Sequence, residues 1–296
     1  MTTVDGPGAR IPRLVSVIVP SYDPGAELAE QLAAVSAQDY PGAIEILVAH
    51  NGPGPVPERP ADPLDRDRPR DPARFIDARA QRGPGAARNA GARAARGDFL
   101  AFCDADDLVS SSWLRDLVGT AGHADIVGGS LEGTRLNDPG TCACYELTDP
   151  AAAHLGFLPA AAGANLGIWA NVFAALGGFA EDSRTGEDIS LVWTAQLRGY
   201  VYAPSPALVH KRLPTDNRDA ARRFFHYGLG DAWLYRRFRT HGMPRRDPAE
   251  ARQLTLALLR LFAGMDPEVR RCRWNLTLWL TYGRLTGSLR HRVFFM

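Results

Sequence analysis

Lysine is nearly missing from this chain. Of 34 basic side chains in 296 residues only Lys211 is a lysine, and the rest are arginine. Alanine is abundant beside them, the usage of GC-rich coding DNA, so an arginine cluster is no evidence of function by itself. Cysteine is scarce too: Cys103, Cys142, Cys144 and Cys272 make no pair of CxxC motifs and have no histidine at zinc spacing. That excludes a metal staple and leaves reduced cytoplasmic thiols. The N-terminal residues MTTVDGPGAR lack the apolar run of a secretory signal, and no stretch reaches the about 18 to 20 apolar residues of a membrane span. The protein is therefore expected to begin and remain on the cytoplasmic side. Net charge is almost absent as well, at +1 from 34 basic and 33 acidic residues, which argues against nucleic acid or acidic lipid as partners. What is present, 45% apolar and 23% charged side chains, is ordinary for a soluble globular protein and excludes collagen, coiled coil and wholesale disorder.

The charge balance hides a division. Residues 1–200 hold 16 basic and 26 acidic side chains, a net of −10, and residues 201–296 hold 18 and 7, a net of +11. The two regions call for separate readings. In the first, LVSVIVP from Leu14 and IEILVA over residues 44–49 are continuous apolar, β-branched runs, the pattern of strands buried on both faces of a parallel sheet. Between them Asp23-Pro24 offers a helix start, and Leu28, Leu32 and Val35 recur at helical spacing, completing a βαβ unit. Residues 53–73, dense in Pro, Asp and Arg, read as a surface loop inserted in the domain. A third strand over 74–78, a helix over 86–96 and a fourth strand over 98–103 follow. Then come a helix over about 111–121 and a strand near 125–129. Such alternation is an α/β layout of the nucleotide-binding type. Residues 130–182 are less regular. Helices return near 171–176 and 188–198, a strand-like segment spans 200–210, and beyond Pro214 the pattern is helical and strongly basic.

Chemistry concentrates at Cys103-Asp104-Ala105-Asp106-Asp107. In open α/β sheets ligands bind beyond the carboxyl ends of strands, and three carboxylates crowded there repel one another until a cation relieves them. Oxygen-only ligands favour Mg²⁺ or Mn²⁺. For Asp107 a plainer role, capping the next helix, is equally open. The run Gly83-Pro84-Gly85-Ala86-Ala87-Arg88-Asn89 is a glycine-rich turn feeding a helix, a good seat for a diphosphate. It is neither a dinucleotide fingerprint, since Arg88 stands at the third glycine position, nor a P-loop, since no GK[ST] follows. Arg88 is either a charge-assisted ligand to phosphate or a solvated surface residue.

Taken in order, VSVIVPSYDPG, ILVAHNG, GPGAARNAGARAARGDFLAFCDADD, GANLGIWANVFAALGGF and GEDISLVWTAQLRGY resemble the inverting GT-A glycosyltransferases of family 2, over about residues 14–212. The resemblance implies a GT-A fold, Rossmann-like, with a mainly parallel central sheet flanked by helices, and hexosyl transfer from a nucleotide-sugar donor, with UDP as the expected carrier. It implies that Pro20, Ser21 and Tyr22 border the base and ribose, that Arg88 and Asn89 lie beneath the nucleotide, and that Asp104 and Asp106 form the DxD motif, with Asp104 near the ribose and Asp106 on the metal. It further implies that Glu187-Asp188 are the ED motif with Asp188 as base, and that Asn165 and Gly177-Gly178-Phe179 shape the donor-sugar and acceptor pocket. Where many relatives carry an acidic residue after the second strand, this chain has His50-Asn51, which implies altered base recognition. Ordinary helix N-terminal acidity is the plainer reading of Glu187-Asp188. His210, ending the last strand, matches the late histidine that some GT-A enzymes bring to the metal, and is also the kind of residue that serves structure alone.

Beyond Pro214, arginines interleave with aromatics and leucines: Arg222 to Tyr227, Tyr235 to Arg239, Arg270 to Arg273 before WNLTLWLTYG, and a final LRHRVFFM. Such helices either lie at an anionic membrane interface or pack their apolar faces on the acidic domain, and both can hold together. The aliphatic run 254–265, broken by Arg260, is too short to span a bilayer. The sequence thus divides into a tail at 1–13, a GT-A domain at 14–213 and a basic helical extension at 214–296. Mg²⁺ or Mn²⁺ is the expected cofactor, a nucleotide sugar the donor, and a saccharide, lipid-linked or small molecule the acceptor, with no nucleic acid. The expected location is cytoplasmic, with peripheral contact to the inner face of the plasma membrane. A nucleotide-sugar binder without catalysis is the rival reading; a sugar nucleotidyltransferase is disfavoured because SYDPG has no basic residue.

Overall fold

A computed structural model describes residues 9–22, 25–56, 73–245 and 266–295. The Asp23-Pro24 helix start, most of the 53–73 loop and the aliphatic run 254–265 lie outside the described residues.

The first strand, β1 (Val15–Ser21), is shut off from solvent except at Pro20. β2 (Ile44–His50) is buried throughout and β4 (Phe99–Cys103) likewise. Their apolar runs have no polar alternation because β1 lies between β2 and β4, parallel to both, in the middle of one sheet. β3 (Arg74–Asp77) extends the sheet beyond β2. Helix α1 (Ala26–Ser36) connects β1 to β2, and α2 (Pro84–Ala94) connects β3 to β4. After β4 come the two-residue β5 (Leu108–Val109), α3 (Trp113–Ala121) and β6 (Ile126–Glu132). Asp107 does not cap α3; the cap position is Ser112. The irregular middle carries α4 (Pro139–Cys144) and a small hairpin of β7 (Ala153–His154) and β8 (Leu158–Pro159).

A further strand, β9 (Asn165–Trp169), was not legible in the sequence. It is completely buried and runs antiparallel between β4 and β6. Its sequence NLGIW is short and begins on a polar residue, so neither strand alternation nor a continuous apolar run marks it. Gly167 opposes Ala101 in register, and a Cβ there would press on the Phe99 ring. Helices α5 (Ala170–Leu176) and α6 (Glu187–Leu197) lead to β10 (Tyr202–His210), parallel to β6 and antiparallel to β5. The eight-stranded order is β3-β2-β1-β4-β9-β6-β10-β5. This is the expected mixed, mostly parallel sheet flanked by helices.

Residues 9–13 do not dangle as a tail. Arg10 donates to Ala124 O at 2.6 Å and Asp125 Oδ1 at 2.9 Å, with its guanidinium 4.6 Å from the Trp169 ring centre.

The described residues of the extension include a parallel helix pair, α7 (Asn217–Phe238) and α8 (Pro267–His291). Glycines bring the two backbones together: a Cβ on Gly228 would overlap Leu280 O, and one on Gly283 would overlap Phe225 O. Arg284 bonds Asp231 across the pair at 2.7 Å with both side chains nearly buried. The pair packs on the domain through a second apolar cluster, where Trp193 of α6 meets Phe238 edge to face at 5.2 Å and Phe295 is fully buried. Part of the basic extension is thus docked on the domain, as one of the two sequence readings held.

Candidate active site

The carboxyl ends of β1, β2, β4 and β10 border one region of the sheet. β4 ends at Cys103 and releases the acidic turn 104–107, and β5 immediately pairs with the end of β10, Leu108 opposite His210. That pairing fixes which residues of the distant segment meet the turn. Lys211 Nζ donates to Asp104 Oδ2 at 3.1 Å and to Asp107 Oδ2 at 2.7 Å. The Arg212 backbone N–H donates to Asp107 Oδ1 at 3.0 Å, and its guanidinium to the Asp106 carbonyl at 3.1 Å. Ligand oxygens of Asp104, Asp106 and Asp107 lie within 4.8 Å of one another. Asp106 alone is exposed, and its carboxylate makes no ion pair among the described residues.

Arg88 joins this turn to α6. Its side chain is 5% exposed; Nη2 donates to Asp104 Oδ1 at 2.8 Å and Nη1 to Glu187 Oε1 at 2.9 Å. Gly163 makes room for it, since a Cβ there would stand 2.7 Å from the guanidinium carbon. Burial works against the Asp104 carboxylate, but Lys211 and then Arg88 outweigh it and hold its carboxyl well below the usual range. Burial pushes Asp107 up to about 6, against the pull of Lys211. Glu187 is pushed up to about 8 by burial first and by neighbouring Asp188 next, because the opposing charge of Arg88 is shared with Asp104. Lys211 is raised: burial disfavours its charge, and Asp104 and Asp107 prevail.

Asp188 lies in the first turn of α6. Its Oδ2 accepts from Gly163 N at 2.7 Å and its Oδ1 from Ile189 N at 2.8 Å, so the carboxylate is held in one orientation while remaining half-buried. Glu187 faces inward onto Arg88, and its geometry is that of a residue that positions the guanidinium.

The remaining sequence-predicted residues divide into those at the site and those behind it. Ser21 and His50 are register partners at the ends of β1 and β2. Both are buried, and Ser21 Oγ and His50 Nδ1 have no hydrogen-bond partner among the described residues. His50 Nε2 lies 3.2 Å from Gly54 O, an acceptor only, so Nε2 carries the proton and Nδ1 is left as a bare acceptor. Histidine here keeps the acceptor that an acidic residue would offer and gives up only the charge. Pro20 is half-buried and Tyr22 exposed on the same rim. Asn51 instead shapes a loop: its Nδ2 donates to Ala78 O and Gln81 O, and its Oδ1 accepts from Gly83 N at 2.9 Å. Asn89 clamps Phe179 from both sides, donating to its carbonyl and accepting from its N–H, each at 2.9 Å. The start of α2 meets this segment rather than open space, since a Cβ on Gly85 would lie 2.9 Å from Ala180 O and 3.1 Å from Glu187.

Asn165 and His210 flank the acidic turn in register, opposite Cys103 and Leu108, but their side chains bond elsewhere. Asn165 is fully buried, its Oδ1 accepting from Trp113 Nε1 at 2.9 Å and its Nδ2 donating to Ser130 O and Ala207 O. His210 Nε2 accepts from Arg135 at 3.1 Å, which places the proton on Nδ1, bonded to Glu132. The strand delivers its neighbour Lys211 instead. Sequence reasoning missed Lys211 as a site residue, together with Arg223 and Tyr227 of α7. The guanidinium of Arg223 is raised, burial opposing and Tyr227, Asp106 and Asp104 prevailing. The Tyr227 hydroxyl is pushed up by burial, with Arg223 and Lys211 opposing and Asp188 and Asp104 adding. The one available signal was that Lys211 is the only lysine in the chain.

Comparison with known proteins bears on family and fold. Residues 16–140 match the model of "Glycosyl transferase family 2". The chain is 34% identical over 117 residues to the "uncharacterized glycosyltransferase EpsJ" of Bacillus subtilis, covering 39% of this chain and 33% of that protein. It is 34% identical over 126 residues to "glycosyltransferase AglE" of Haloferax volcanii, covering 42% of this chain and 41% of that protein. The chain thus spans less than half the length of either relative. In fold it is similar to a mannosyltransferase of Pyrobaculum calidifontis, with a TM-score of 0.60 at 18% identity, over 95% of this chain and 88% of that one. The sequence resembles family 2 glycosyltransferases, and the fold is GT-A.

Proposed function

From the resemblance of residues 16–140 to family 2 glycosyltransferases and from the geometry of the acidic turn, we propose that the chain moves a hexosyl group from a nucleotide-sugar donor to an acceptor hydroxyl with inversion. The observation that carries the reading is the arrangement around Arg88. A single buried guanidinium links Asp104, at the end of β4, to Glu187, next to the fixed carboxylate of Asp188. A donor-holding side and a proton-accepting side are thereby set in one rigid frame.

In this reading Asp188 accepts the proton of the acceptor hydroxyl as its oxygen bonds to the anomeric carbon. The bond from that carbon to the diphosphate breaks on the opposite face. The backbone N–H groups of Gly163 and Ile189 fix the orientation of the Asp188 carboxylate for that role. Ser21 and the bare Nδ1 of His50 face the base, and an imide N–H, as in uracil, is the donor that Nδ1 lacks. Arg223 and Tyr227 of α7 contribute the acceptor side, so the extension 214–296 completes the unit 14–213. The oxygen-only donor set fits Mg²⁺ or Mn²⁺, with Asp106 and Asp104 as its holders. When bound, the cation neutralises charge growing on the leaving diphosphate.

The outer face of α8 supports contact with an anionic membrane surface. Trp274, Leu278, Tyr282, Leu285 and Leu289 follow at helical spacing and are all exposed, while Leu276, Gly283 and Gly287 on the other side are buried. Exposed Arg271 stands at the start of this stripe and exposed Arg290 and Arg292 at its end. No helix among the described residues is long and apolar enough to cross a membrane. A helix lying in the interface plane on the cytoplasmic face matches that pattern.

The deciding experiment is release of nucleoside diphosphate in the presence of acceptor, which a binding protein without catalysis does not give. Asp106→Ala should end metal-dependent transfer. Asp188→Asn should lower kcat by about 10²–10⁴-fold with donor binding retained. Loss of donor binding in the latter would assign Asp188 to structure.

A further inference from the structure

Lys211 is the only lysine in the chain, it arrives from a strand more than a hundred residues away, and it stands between two of the three carboxylates of the acidic turn. Its side chain is 13% exposed. The two bonds differ. That to Asp107 is 2.7 Å long and ends on a side chain with no exposure; that to Asp104 is 3.1 Å long and ends on one with 24%. Asp107 is further fixed by the Arg212 backbone N–H, whereas the other oxygen of Asp104 is held by Arg88. Three carboxylates in this space repel one another, and the ammonium supplies the neutralisation that keeps the turn folded.

We propose that Lys211 is an exchangeable counter-cation of the acidic turn: it holds Asp104 and Asp107 together until a divalent ion arrives, then yields the Asp104 oxygen to that ion while staying on Asp107. The inference rests on the metal-assisted reading above and adds a direct competition between an ammonium and the metal for one oxygen. It also explains a division within the turn. Asp106, unpaired among the described residues, and Asp104, on the longer bond, are the metal-facing carboxylates, and Asp107 is the anchor on which Lys211 pivots. After the exchange the ammonium is freed on one side and becomes a positive group beside the donor diphosphate.

The test measures Mn²⁺ binding to the full-length protein by electron paramagnetic resonance, without donor or acceptor. Lys211→Met should bind Mn²⁺ about tenfold more tightly than wild type, because the competing charge is gone, and Lys211→Arg should stay within about twofold of wild type. Equal or weaker binding by Lys211→Met overturns the proposal. A second measurement needs no variant. Because the chain has one lysine, the rate of its acylation by acetic anhydride, followed by mass spectrometry of the peptide containing residue 211, reads its release directly. Saturating Mn²⁺ should raise that rate several-fold, and an unchanged or slower rate overturns the proposal even if Lys211→Met fails to fold. Absence of any Asp106-dependent Mn²⁺ binding in wild type would instead remove the metal-assisted reading, so the two failures are distinguishable.

Discussion

Arg88 Nη1 donates to Glu187 Oε1 at 2.9 Å, and the two side chains are 5% and 4% exposed. The bond joins helices whose sequences lie far apart, the one after the glycine-rich turn and the one that opens with Glu187-Asp188. It separates the roles of two adjacent acids. Glu187 positions Arg88, and Asp188 is held by Gly163 N–H with its carboxylate half-buried and oriented.

The pH dependence of stability should reveal Glu187. Its carboxyl is raised from 4.5 to about 8 by burial and by Asp188, so the folded state binds its proton more tightly than the unfolded chain does. The stability it contributes is fully present below pH 4.5 and is lost as pH rises through about 8. Urea midpoints of wild type should therefore fall between pH 5 and 8, with Glu187→Gln giving a flatter curve. Parallel curves for the two proteins would show that Glu187 is ionised across the range.

Asn165 should matter to stability rather than to the donor. Its amide satisfies Trp113 Nε1 and the carbonyls of Ser130 and Ala207 in a fully buried position. Asn165→Ala leaves those groups unpaired, at a cost of roughly 2–4 kcal/mol in chemical denaturation. Nucleoside diphosphate affinity, measured by calorimetry on the folded variant, should stay within about twofold of wild type. A large loss of affinity with stability intact would return Asn165 to the donor site.

The strands β1, β2 and β4 were legible because each is buried on both faces, which writes itself as an unbroken apolar run. The acidic turn was legible because it follows such a run. β9 was not, since NLGIW carries no period and owes its place to β4 and β6 on either side. Lys211 and Arg223 escaped for a related reason. Local sequence says nothing of the Leu108–His210 register that sets Lys211 beside Asp107, nor of the packing that sets α7 over the turn. His210 was the natural choice as a ligand residue type, yet its two ring nitrogens are engaged by Glu132 and Arg135, and the next residue is the one that arrives.

Base selection should follow the tautomer of His50. With Nε2 facing Gly54 O, Nδ1 is an acceptor and needs an N–H from the ligand. Uracil and guanine present an imide N–H at the pairing edge; adenine and cytosine present an acceptor there. Thermal shifts should therefore rank UDP and GDP above ADP and CDP, and His50→Phe should level the ranking. An unchanged ranking in that variant would place the base elsewhere.

Membrane contact through the exposed stripe of α8, as proposed above, should be readable by flotation. Leu278 and Leu289 are 65% and 82% exposed, so glutamate at either position should leave thermal stability close to wild type. On an anionic bilayer the same substitutions remove apolar insertion and add repulsion, two effects of one sign. The full chain should float with vesicles containing phosphatidylglycerol and remain behind with phosphatidylcholine alone, and salt should weaken the association because the arginines at both ends of the stripe act through a screened field. The Leu278→Glu/Leu289→Glu double variant should lose flotation by at least about tenfold. If instead the wild type fails to float and sediments as a dimer that the double variant dissociates, the stripe is an interface between two copies of the chain and the membrane reading is overturned.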